Sequence, residues 1–504
     1  MSVYFNDNKV EAGHGRRSLH GGAAFVFARA LNALIQFGSV LLLARLLSPE
    51  DYGLVTMVTV VTGFAPVLVS LGTPDAVVQR TRITENEVSA LFWITVALGC
   101  GSALLMAACG PLIARFYGEP RLTMIAVVCG LTFIASALTC QHYALLRRAM
   151  KFQELGVIEV GANLLSAGGA VAMALSGFHY WALVLRPVAL NSLLALGVWL
   201  RCRWLPPKPA ITPGVKEILK FGLNLTGFTL TDFVGGASDK VAIGYRSGAM
   251  TLGHYQNALA FYYYLLDVSV SPLHGVAVTS LSKVRNDLKE LRRLWGKALS
   301  TLGFYSMPAF GILAVTSQDV IVLLLGAKWT RAGVLLSILA LRGIPHTVER
   351  TLGWLHVTAG RTDRWMRWGV VANCTQLLAL FCGLPFGPIG VIVAYVVCTF
   401  ILFIPGIAYA GQPLGIGAGD AVKVVWRPLA GSLVAAAAGF MLRYTLLADA
   451  SGMVRTAALT LAYVAVYVVT VVGVFRVRMP IGVILLLVRD FLPARFARLV
   501  GTPS

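Results

Sequence analysis

Charged residues are scarce in this chain. Asp, Glu, Lys and Arg together make up 13% of its 504 residues, whereas an ordinary soluble domain contains about 25%. Hydrophobic residues reach 57%, and the mean hydropathy is +0.76. So much apolar surface cannot be buried inside one water-soluble globule, which excludes a soluble enzyme as well as a disordered chain. The apolar runs are long and unbroken, unlike the alternating strands of a transmembrane barrel. The composition therefore predicts an all-α membrane protein.

Cysteine is also sparse, with eight residues in the chain. No CxxC pair or Cys/His spacing typical of zinc occurs, so we predict no metal site, no cofactor and no disulfide framework. Cys202 is expected in a basic loop, and the other seven are expected to be small buried apolar residues. We expect no cleavable signal peptide, because residues 1–22 are polar and the first apolar run follows directly.

Long apolar runs are abundant, and about 20 mostly apolar residues suffice for one spanning helix. The polar connections between these runs are too short to fold as a soluble domain. We predict about 14 transmembrane helices, at 23–45, 53–72, 89–110, 122–142, 157–176, 179–200, 218–240, 254–280, 298–317, 332–353, 368–384, 388–410, 425–446 and 455–475.

The predicted organisation consists of two six-helix lobes around a central cavity, followed by two C-terminal helices. In chain order, we predict a cytoplasmic N-terminal segment (1–22), an N-terminal lobe (23–200), a cytoplasmic linker (201–217), a C-terminal lobe (218–410), spans 13 and 14 (425–475), and a cytoplasmic tail (480–504) that lies along the membrane surface.

Positive charge exceeds negative charge, with 42 Lys and Arg against 22 Asp and Glu and a net charge of +20. In a soluble chain this excess would indicate nucleic-acid binding. Here 29 of the 42 fall in segments that are cytoplasmic if the amino terminus lies inside, and eight fall in outer segments. Membrane proteins retain Lys and Arg on the cytoplasmic side. We therefore predict that both termini are cytoplasmic and that no nucleic acid is bound.

A weak internal repeat relates the two predicted lobes. The segment LLSPEDYGLVTMV before the second span is similar to AMTLGHYQNALAF before the eighth, which aligns Tyr52 with Tyr255. Each of these spans then carries a proline, Pro66 or Pro272. Parallel repeats related by an axis along the membrane normal place a cavity at their interface, as alternating access requires.

Polar and charged residues recur inside three of the spans, although a central Arg costs about 2.5–3.5 kcal/mol on insertion scales. At 100° per residue, the polar residues of each span fall on one face of its helix. We predict that these faces line the cavity. The predicted substrate-binding residues are Arg29, Asn32 and Gln36 in span 1, Asn224, Asp232 and Asp239 in span 7, and Arg342, His346, Glu349 and Arg350 in span 10.

Each face also has a purely structural interpretation. Glu349 and Arg350 could form a partly buried ion pair, His346 could be a helix-packing residue, and Asp239 could lie at the outer interface. Arg29 is harder to explain in this way, because span 1 has no acidic residue near it.

The chemistry of these residues indicates the type of substrate. Arginine suits phosphate because its guanidinium offers paired donors and keeps its charge. Amide and hydroxyl groups suit sugars, and the tyrosines at 262–264 could stack on sugar rings or simply pack. Such a cavity fits a phosphorylated glycan headgroup better than a hydrophobic cationic drug.

One stretch, LARLLSPEDYGLVTMV (43–58), resembles the opening of Wzx-type bacterial polysaccharide flippases, within the multidrug/oligosaccharidyl-lipid/polysaccharide exporter superfamily. The segments SLGTPDAVVQR (70–80), SDKVAIGYRSGAMTLGHY (238–255), GAKWTRAG (326–333) and TAGRTDR (358–364) are similar in order and spacing. The resemblance implies a V-shaped pair of lobes with a cationic cavity. It also implies that Arg29 corresponds to a first-helix arginine that lines this cavity in related flippases.

The resemblance further implies the activity and the partners. The expected function is translocation of an undecaprenyl-diphosphate-linked oligosaccharide across the bacterial cytoplasmic (inner) membrane, for exopolysaccharide, capsule or lipopolysaccharide biosynthesis. The expected partners are this polyprenyl-diphosphate-linked oligosaccharide, membrane lipids, and a polysaccharide polymerase with other biosynthesis proteins. Two alternatives stay open, a cation-coupled multidrug exporter of the same superfamily and a membrane glycan polymerase. The outer connections are short and lack a DxD pair, which disfavours an enzyme.

Overall fold

The regular secondary structure of the described residues is helical. The computed structural model describes residues 14–63, 69–80, 83–208, 213–285 and 287–477, and within these ranges every regular element is helical. The chain divides into two compact units, Met1–Gly253 and His254–Ser504. Each unit is described by itself below.

The first unit is built from long helices joined by short turns. Its helices are α1 (His14–Leu46), α2 (Pro49–Thr62), α3 (Thr73–Gln79), α4 (Glu85–Tyr117), α5 (Leu122–Arg148), α6 (Phe152–Leu175), α7 (Trp181–Cys202) and the first part of α8 (Pro213–Lys283). Helix α1 packs on α6, α4 packs on α5, and α7 contacts both α5 and α6.

The second unit begins within α8 and continues through a further set of helices. These are α9 (Leu288–Leu325), α10 (Thr330–Thr358), α11 (Thr362–Gly383), α12 (Gly387–Gly411), α13 (Ala418–Tyr444) and α14 (Gly452–Val468), which ends in a π-helical turn at Val469–Val474. Helix α10 lies between α9 and α12, and α11 pairs with α12, whereas α13 and α14 pack on α9.

Within the described residues, nine segments are long and apolar enough to cross a membrane. One of them, Asp363–Leu414, includes both α11 and α12. Helix α10 is not among the nine, and it carries Arg342, Glu349 and Arg350 in its sequence. The predicted class, an all-α protein with several membrane spans, is confirmed. The count of fourteen spans stays a prediction, as do the domain boundaries, and the tail at 480–504 and Pro66 lie outside the described residues.

The segment after α7, predicted as part of a linker, is packed against the first unit. Trp204 is 1% exposed, and its ring nitrogen donates to Glu85 at 2.9 Å. The carbonyl of Pro207 accepts from the ring nitrogen of Trp93 at 3.0 Å. Cys202, expected in a loop, is instead the buried last residue of α7, because the helix continues into the basic sequence.

The LLSPEDYG stretch forms the start of α2. Ser48 caps the helix: its hydroxyl accepts from the backbone N–H of Asp51 at 3.2 Å, and the Asp51 carboxylate accepts from the backbone N–H of Ser48 at 2.8 Å. Glu50 pairs with Arg121 at 2.7 Å, and Arg121 also pairs with Glu119 at 2.7 Å. The Arg121 guanidinium, through this hydrogen bond, lowers the pKa of the Glu119 carboxyl. The motif therefore fixes a turn and a charged cluster.

Helix α8 bends at Gly248, which separates the two predicted spans 7 and 8. Gly248 has φ 75° and ψ 176°, a conformation that is strained for residues with a Cβ. The turn that follows lies against the start of α2. A Cβ on Gly253 would overlap the carbonyl oxygen of Pro49, and a Cβ on Gly53 would overlap that of Ala249. The two helix starts can approach so closely only because both positions are glycine.

We expect Gly253→Ala to destabilise the protein by about 1–3 kcal/mol, because the added methyl group forces α2 and α8 apart. The matched control is Gly275→Ala, since a Cβ on Gly275 would meet no atom within 4 Å. Thermal unfolding of the purified protein in detergent measures both variants. Equal melting temperatures for the two would contradict the predicted overlap.

Candidate functional site

The four predicted residues of span 10 lie on α10 but differ in exposure. Arg342 is 4% exposed, His346 and Glu349 are half-buried, and Arg350 is exposed. Arg342 and Arg350 are separated by eight residues, or about 12 Å along the helix. We call these four residues, together with the side chains that contact them from α8 and α12, the α10 cluster.

Arg342 is held by polar groups of α12. Its Nε donates to the hydroxyl of Thr399 at 3.0 Å, and its guanidinium carbon lies 5.3 Å from the centre of the Tyr395 ring. The Thr399 hydroxyl donates in turn to the carbonyl of Tyr395 at 2.8 Å. No carboxylate of the described residues lies within 4 Å of the guanidinium. The positive charge of Arg342 therefore lies between α10 and α12, and no carboxylate of the described residues contacts it.

His346 contacts Tyr262 of α8. The Tyr262 hydroxyl and His346 Nδ1 are 2.6 Å apart, and the two rings stack with their centres 6.0 Å apart. Tyr262 is fully buried, so it packs rather than presenting its face to a sugar. Tyr263 and Tyr264 are both exposed. The hydrogen bond fixes the ring orientation of His346 on the buried side of the cluster.

Glu349 lies within electrostatic range of both Arg342 and Arg350. In the part of the chain that the structure describes, it has no ion pair with Arg350 within 4 Å. Consecutive helical residues point about 100° apart, which separates the two side chains. The ion pair between Glu349 and Arg350, which the sequence analysis gave as a structural interpretation of these residues, is therefore not formed.

The predicted residues of span 1 share α1, which packs on α6. Ala28 lies so close to Gly156 that a Cβ on this glycine would be 2.8 Å from the Ala28 Cβ. Asn163 of α6 donates to the side-chain oxygen of Asn32 at 3.2 Å. Arg29 and Gln36 are exposed. The Asn32 side chain is therefore turned towards α6, whereas Arg29 and Gln36 are not buried by α6.

The surroundings of Arg29 include a tyrosine and a carboxylate. Arg29 interacts electrostatically with Tyr143 of α5, whose hydroxyl donates to Glu159 of α6 at 2.5 Å. Lys151 pairs with Glu154 at 3.5 Å. Tyr143 was not predicted to belong to this region, because a tyrosine in an apolar run gives no signal in the sequence.

The predicted residues of span 7 are described only in part. Asp239 is 6% exposed, and its carboxylate accepts from the backbone N–H of Lys240 at 2.7 Å. The backbone of α8 covers Asn224 and Asp232, but their side chains lie outside what the structure describes. Eight of the ten predicted residues have described side chains, and they lie in three places: on α1, at the buried Asp239 of α8, and in the α10 cluster. Among the described residues, no group of three or more His, Cys, Asp or Glu could hold a metal ion.

Thr399 and Tyr395 of the α10 cluster were missed by the sequence analysis. Both lie in the apolar run of span 12, where only the presence of a hydroxyl distinguishes them. Their role depends on α12 packing against α10, which residue spacing within either helix does not reveal.

Comparison with known proteins places these features in context. The model of a family described as "Polysaccharide biosynthesis protein" matches residues 42–333. The chain is 25% identical over 374 residues to the lipopolysaccharide biosynthesis protein WzxC of Escherichia coli K12, covering 71% of this chain and 74% of that one. It is 27% identical over 311 residues to the succinoglycan biosynthesis transport protein ExoT of Rhizobium meliloti, covering 61% and 62%.

A solved structure shares the fold. The lipid II flippase MurJ in its inward closed conformation superposes with a TM-score of 0.71 at 15% sequence identity, covering 91% of this chain and 99% of that one. At this identity the likeness shows the fold alone.

Proposed function

Because the chain belongs to the polysaccharide biosynthesis protein family, we propose that it is a flippase for a lipid-linked oligosaccharide. The resemblance to polysaccharide flippases noted in the sequence is confirmed by this family match. The proposed substrate is an undecaprenyl-diphosphate-linked repeat unit, which moves from the inner to the outer leaflet of the bacterial cytoplasmic membrane. The proposed activity is transport rather than catalysis.

The observation that carries the proposal is the burial of the Arg342 guanidinium. This residue retains its charge beside Tyr395 and Thr399, although burial of a charge inside a membrane helix is costly. Intramembrane arginines of this kind usually mark a substrate pathway. A guanidinium binds phosphate through paired donors, which matches the diphosphate of the proposed substrate.

The proposed topology has fourteen spans and two cytoplasmic termini. Under this topology α1 runs outwards and α10 runs inwards, so Arg29 and Arg350 each lie in the cytoplasmic half of their own helix. Both side chains are exposed. Each is proposed to contact the diphosphate while the headgroup is on the cytoplasmic side.

The remaining predicted residues are proposed to contact the glycan through amide, carboxylate and imidazole groups. These are Asn32, Gln36, Asn224, Asp232, Asp239, His346 and Glu349. Moving one elementary charge across the membrane is worth about 2.3 kcal/mol per 100 mV, so the two charges of a diphosphate gain roughly 4.6 kcal/mol. The interior-negative potential therefore favours export of the headgroup.

We expect Arg29→Ala to reduce polymer export to about a tenth or less, because losing a charged contact to phosphate costs several kcal/mol. Arg29→Lys retains the charge without the paired donors, so its export should be intermediate. The assay is polymer production in cells that depend on this chain, with protein level measured in the membrane fraction. Arg293→Ala is the control, since Arg293 is exposed and pairs with Glu290 at 2.6 Å.

Normal export by Arg29→Ala at normal protein level would contradict the binding role of Arg29. The flippase proposal itself is tested by deletion of the chain, which should cause lipid-linked repeat units to accumulate in the inner leaflet. If deletion leaves the polymer unchanged and instead makes cells sensitive to toxic cationic dyes, the chain is a drug exporter.

A further inference from the structure

A further polar face lies on the part of α8 that belongs to the second unit. It consists of four exposed side chains of predicted span 8, which are those of Tyr264, Asp267, Ser271 and His274. At 100° per residue they fall within about 80° of one another, so they share one side of the helix. We call these four residues the α8 face. Three of them, all except Tyr264, were missed by the sequence analysis.

Asp267 is the charged residue of the α8 face, and it lies at the middle of predicted span 8 (254–280). A carboxylate at the centre of a spanning helix is costly to insert into a membrane. The Asp267 side chain is exposed, and within the described residues it forms no ion pair within 4 Å. Intramembrane carboxylates of this kind face a bundle interior or a water-filled cavity and mark a substrate or ion pathway. The α8 face is therefore accessible to a polar ligand.

Two contacts define how α8 is aligned with α10. The Tyr262 hydroxyl is 2.6 Å from His346 Nδ1, and the ring nitrogen of Trp354 donates to His274 Nδ1 at 2.8 Å. From the first contact to the second, residue numbers increase along both helices. The two helices therefore run in the same direction, and positions on one can be compared with positions on the other.

This alignment places Asp267 and Arg350 at the same level. At 1.5 Å per residue, Asp267 lies about 7.5 Å along α8 from the first contact, and Arg350 lies about 6 Å along α10 from it. Asp267 is about 20° from His274 around α8, and Arg350 is about 40° from Trp354 around α10. Both side chains are exposed. A carboxylate and a guanidinium thus lie on the exposed sides of two helices that are in contact, and no ion pair within 4 Å joins them.

The groups of the α8 face suit a sugar ring. Because His274 Nδ1 accepts from Trp354, the ring proton of His274 is on Nε2, which is a donor. The Asp267 carboxylate supplies acceptors, and the Ser271 hydroxyl supplies both a donor and an acceptor. Tyr264, which is 51% exposed, supplies an aromatic surface. Sugar hydroxyls each donate and accept, so an uncharged ring rich in hydroxyls is complementary to this set of groups.

We infer that the α8 face binds the sugar next to the diphosphate, and that Asp267 selects an uncharged sugar over a uronic acid at this position. The inference rests on the proposed function, in which Arg350 contacts the diphosphate. A sugar joined directly to that diphosphate is adjacent to Asp267, because Asp267 is level with Arg350. The carboxylate of a uronic acid would add a negative charge beside both Asp267 and the phosphates, and such like-charge contacts discriminate against a ligand.

The test measures binding by the full-length purified protein in detergent. The probes are farnesyl diphosphate, the same lipid carrying glucose on its diphosphate, and the same lipid carrying glucuronic acid there. Asp267→Asn retains the size of the side chain and removes its charge. Asp449→Asn is the matched control, because Asp449 is exposed in the connection between α13 and α14, away from the α8 face. Thermal unfolding checks that both variants are folded.

We expect the unmodified protein to bind the glucose probe about tenfold more tightly than the other two probes, because a sugar hydroxyl gains a hydrogen bond to a charged group. Asp267→Asn should bind the glucose and glucuronic acid probes equally, with farnesyl diphosphate binding unchanged. Asp449→Asn should behave as the unmodified protein does.

Three results would overturn the inference. The unmodified protein could show no preference for glucose, Asp267→Asn could retain that preference, or Asp267→Asn could weaken farnesyl diphosphate as much as the glucose probe. The last result would mean that Asp267 acts on the diphosphate or on the fold. Failure of the proposed function gives a different result, since the unmodified protein would then bind none of the probes, and the premise of the inference would be lost with it.

Discussion

Asp319→Asn is expected to lower the free energy of unfolding by about 3–5 kcal/mol, because it leaves the buried Arg443 and the half-buried Arg455 without their counter-ion. Asp319 of α9 is 5% exposed and pairs with Arg443 of α13 at 2.7 Å and with Arg455 of α14 at 2.6 Å. Arg443 is 7% exposed and also donates to the carbonyl of Val315 at 2.7 Å. One carboxylate therefore joins three helices of the second unit.

Thermal unfolding in detergent, with export measured in parallel, checks this prediction. Asp449→Asn is the control, because Asp449 is exposed in the connection between α13 and α14. The control should melt within a degree or so of the unmodified protein, since surface substitutions usually alter stability by less than about 0.5 kcal/mol. If Asp319→Asn melts together with Asp449→Asn, the three-helix ion cluster does not stabilise the fold.

The Asp319 cluster shows which features a single sequence does not reveal. Asp319 is separated from Arg443 by 124 residues and from Arg455 by 136. The charge pattern only placed both arginines among the eight Lys and Arg residues of the predicted outer segments. An ion pair between distant helices depends on which helix faces meet, and hydrophobic periodicity within one helix carries no information about its neighbours.

The helices themselves were more predictable, because their determinants are local. Apolar length predicted helical spans, and all fourteen predicted spans overlap helix in the described residues. The ends were less accurate: α1 begins at His14, although span 1 was predicted to begin at 23. Polar residues such as Arg16 and Arg17 can continue a helix beyond the membrane, so apolar composition underestimates helix length.

The candidate site was predictable in part. Spacing at 100° per residue predicts Arg342 and Arg350 on one face of α10, about 80° apart, but it could not predict their different burial. Thr399 and Tyr395 of α12 contact the buried Arg342, whereas Arg350 is exposed. How deeply a side chain of α10 is buried depends on the helix that packs against it, so the sequence of α10 alone does not predict its burial.

Arg342→Met is expected to retain or raise thermal stability while it reduces substrate transport about hundredfold. Removing a buried charge that forms no ion pair with any described residue relieves its desolvation, and Met fills irregular apolar space well. Thr399 retains its own hydrogen bond to the carbonyl of Tyr395. Transport should fall because the diphosphate loses a charged partner. A residue that lowers stability but is required for activity is typical of a functional site.

Arg443→Met is the matched comparison, because Arg443 is buried to a similar degree, at 7% against 4% for Arg342. It removes one partner of Asp319, so the same substitution should destabilise the protein by several kcal/mol. Melting temperature and transport of the lipid-linked repeat unit, both measured on purified protein, separate the two variants. If Arg342→Met destabilises as strongly as Arg443→Met, Arg342 is a structural residue and the argument from its unneutralised charge to an anionic substrate is wrong. Opposite effects on stability would instead show that the two buried arginines differ through their partners, since among the described residues Arg443 pairs with a carboxylate and Arg342 does not.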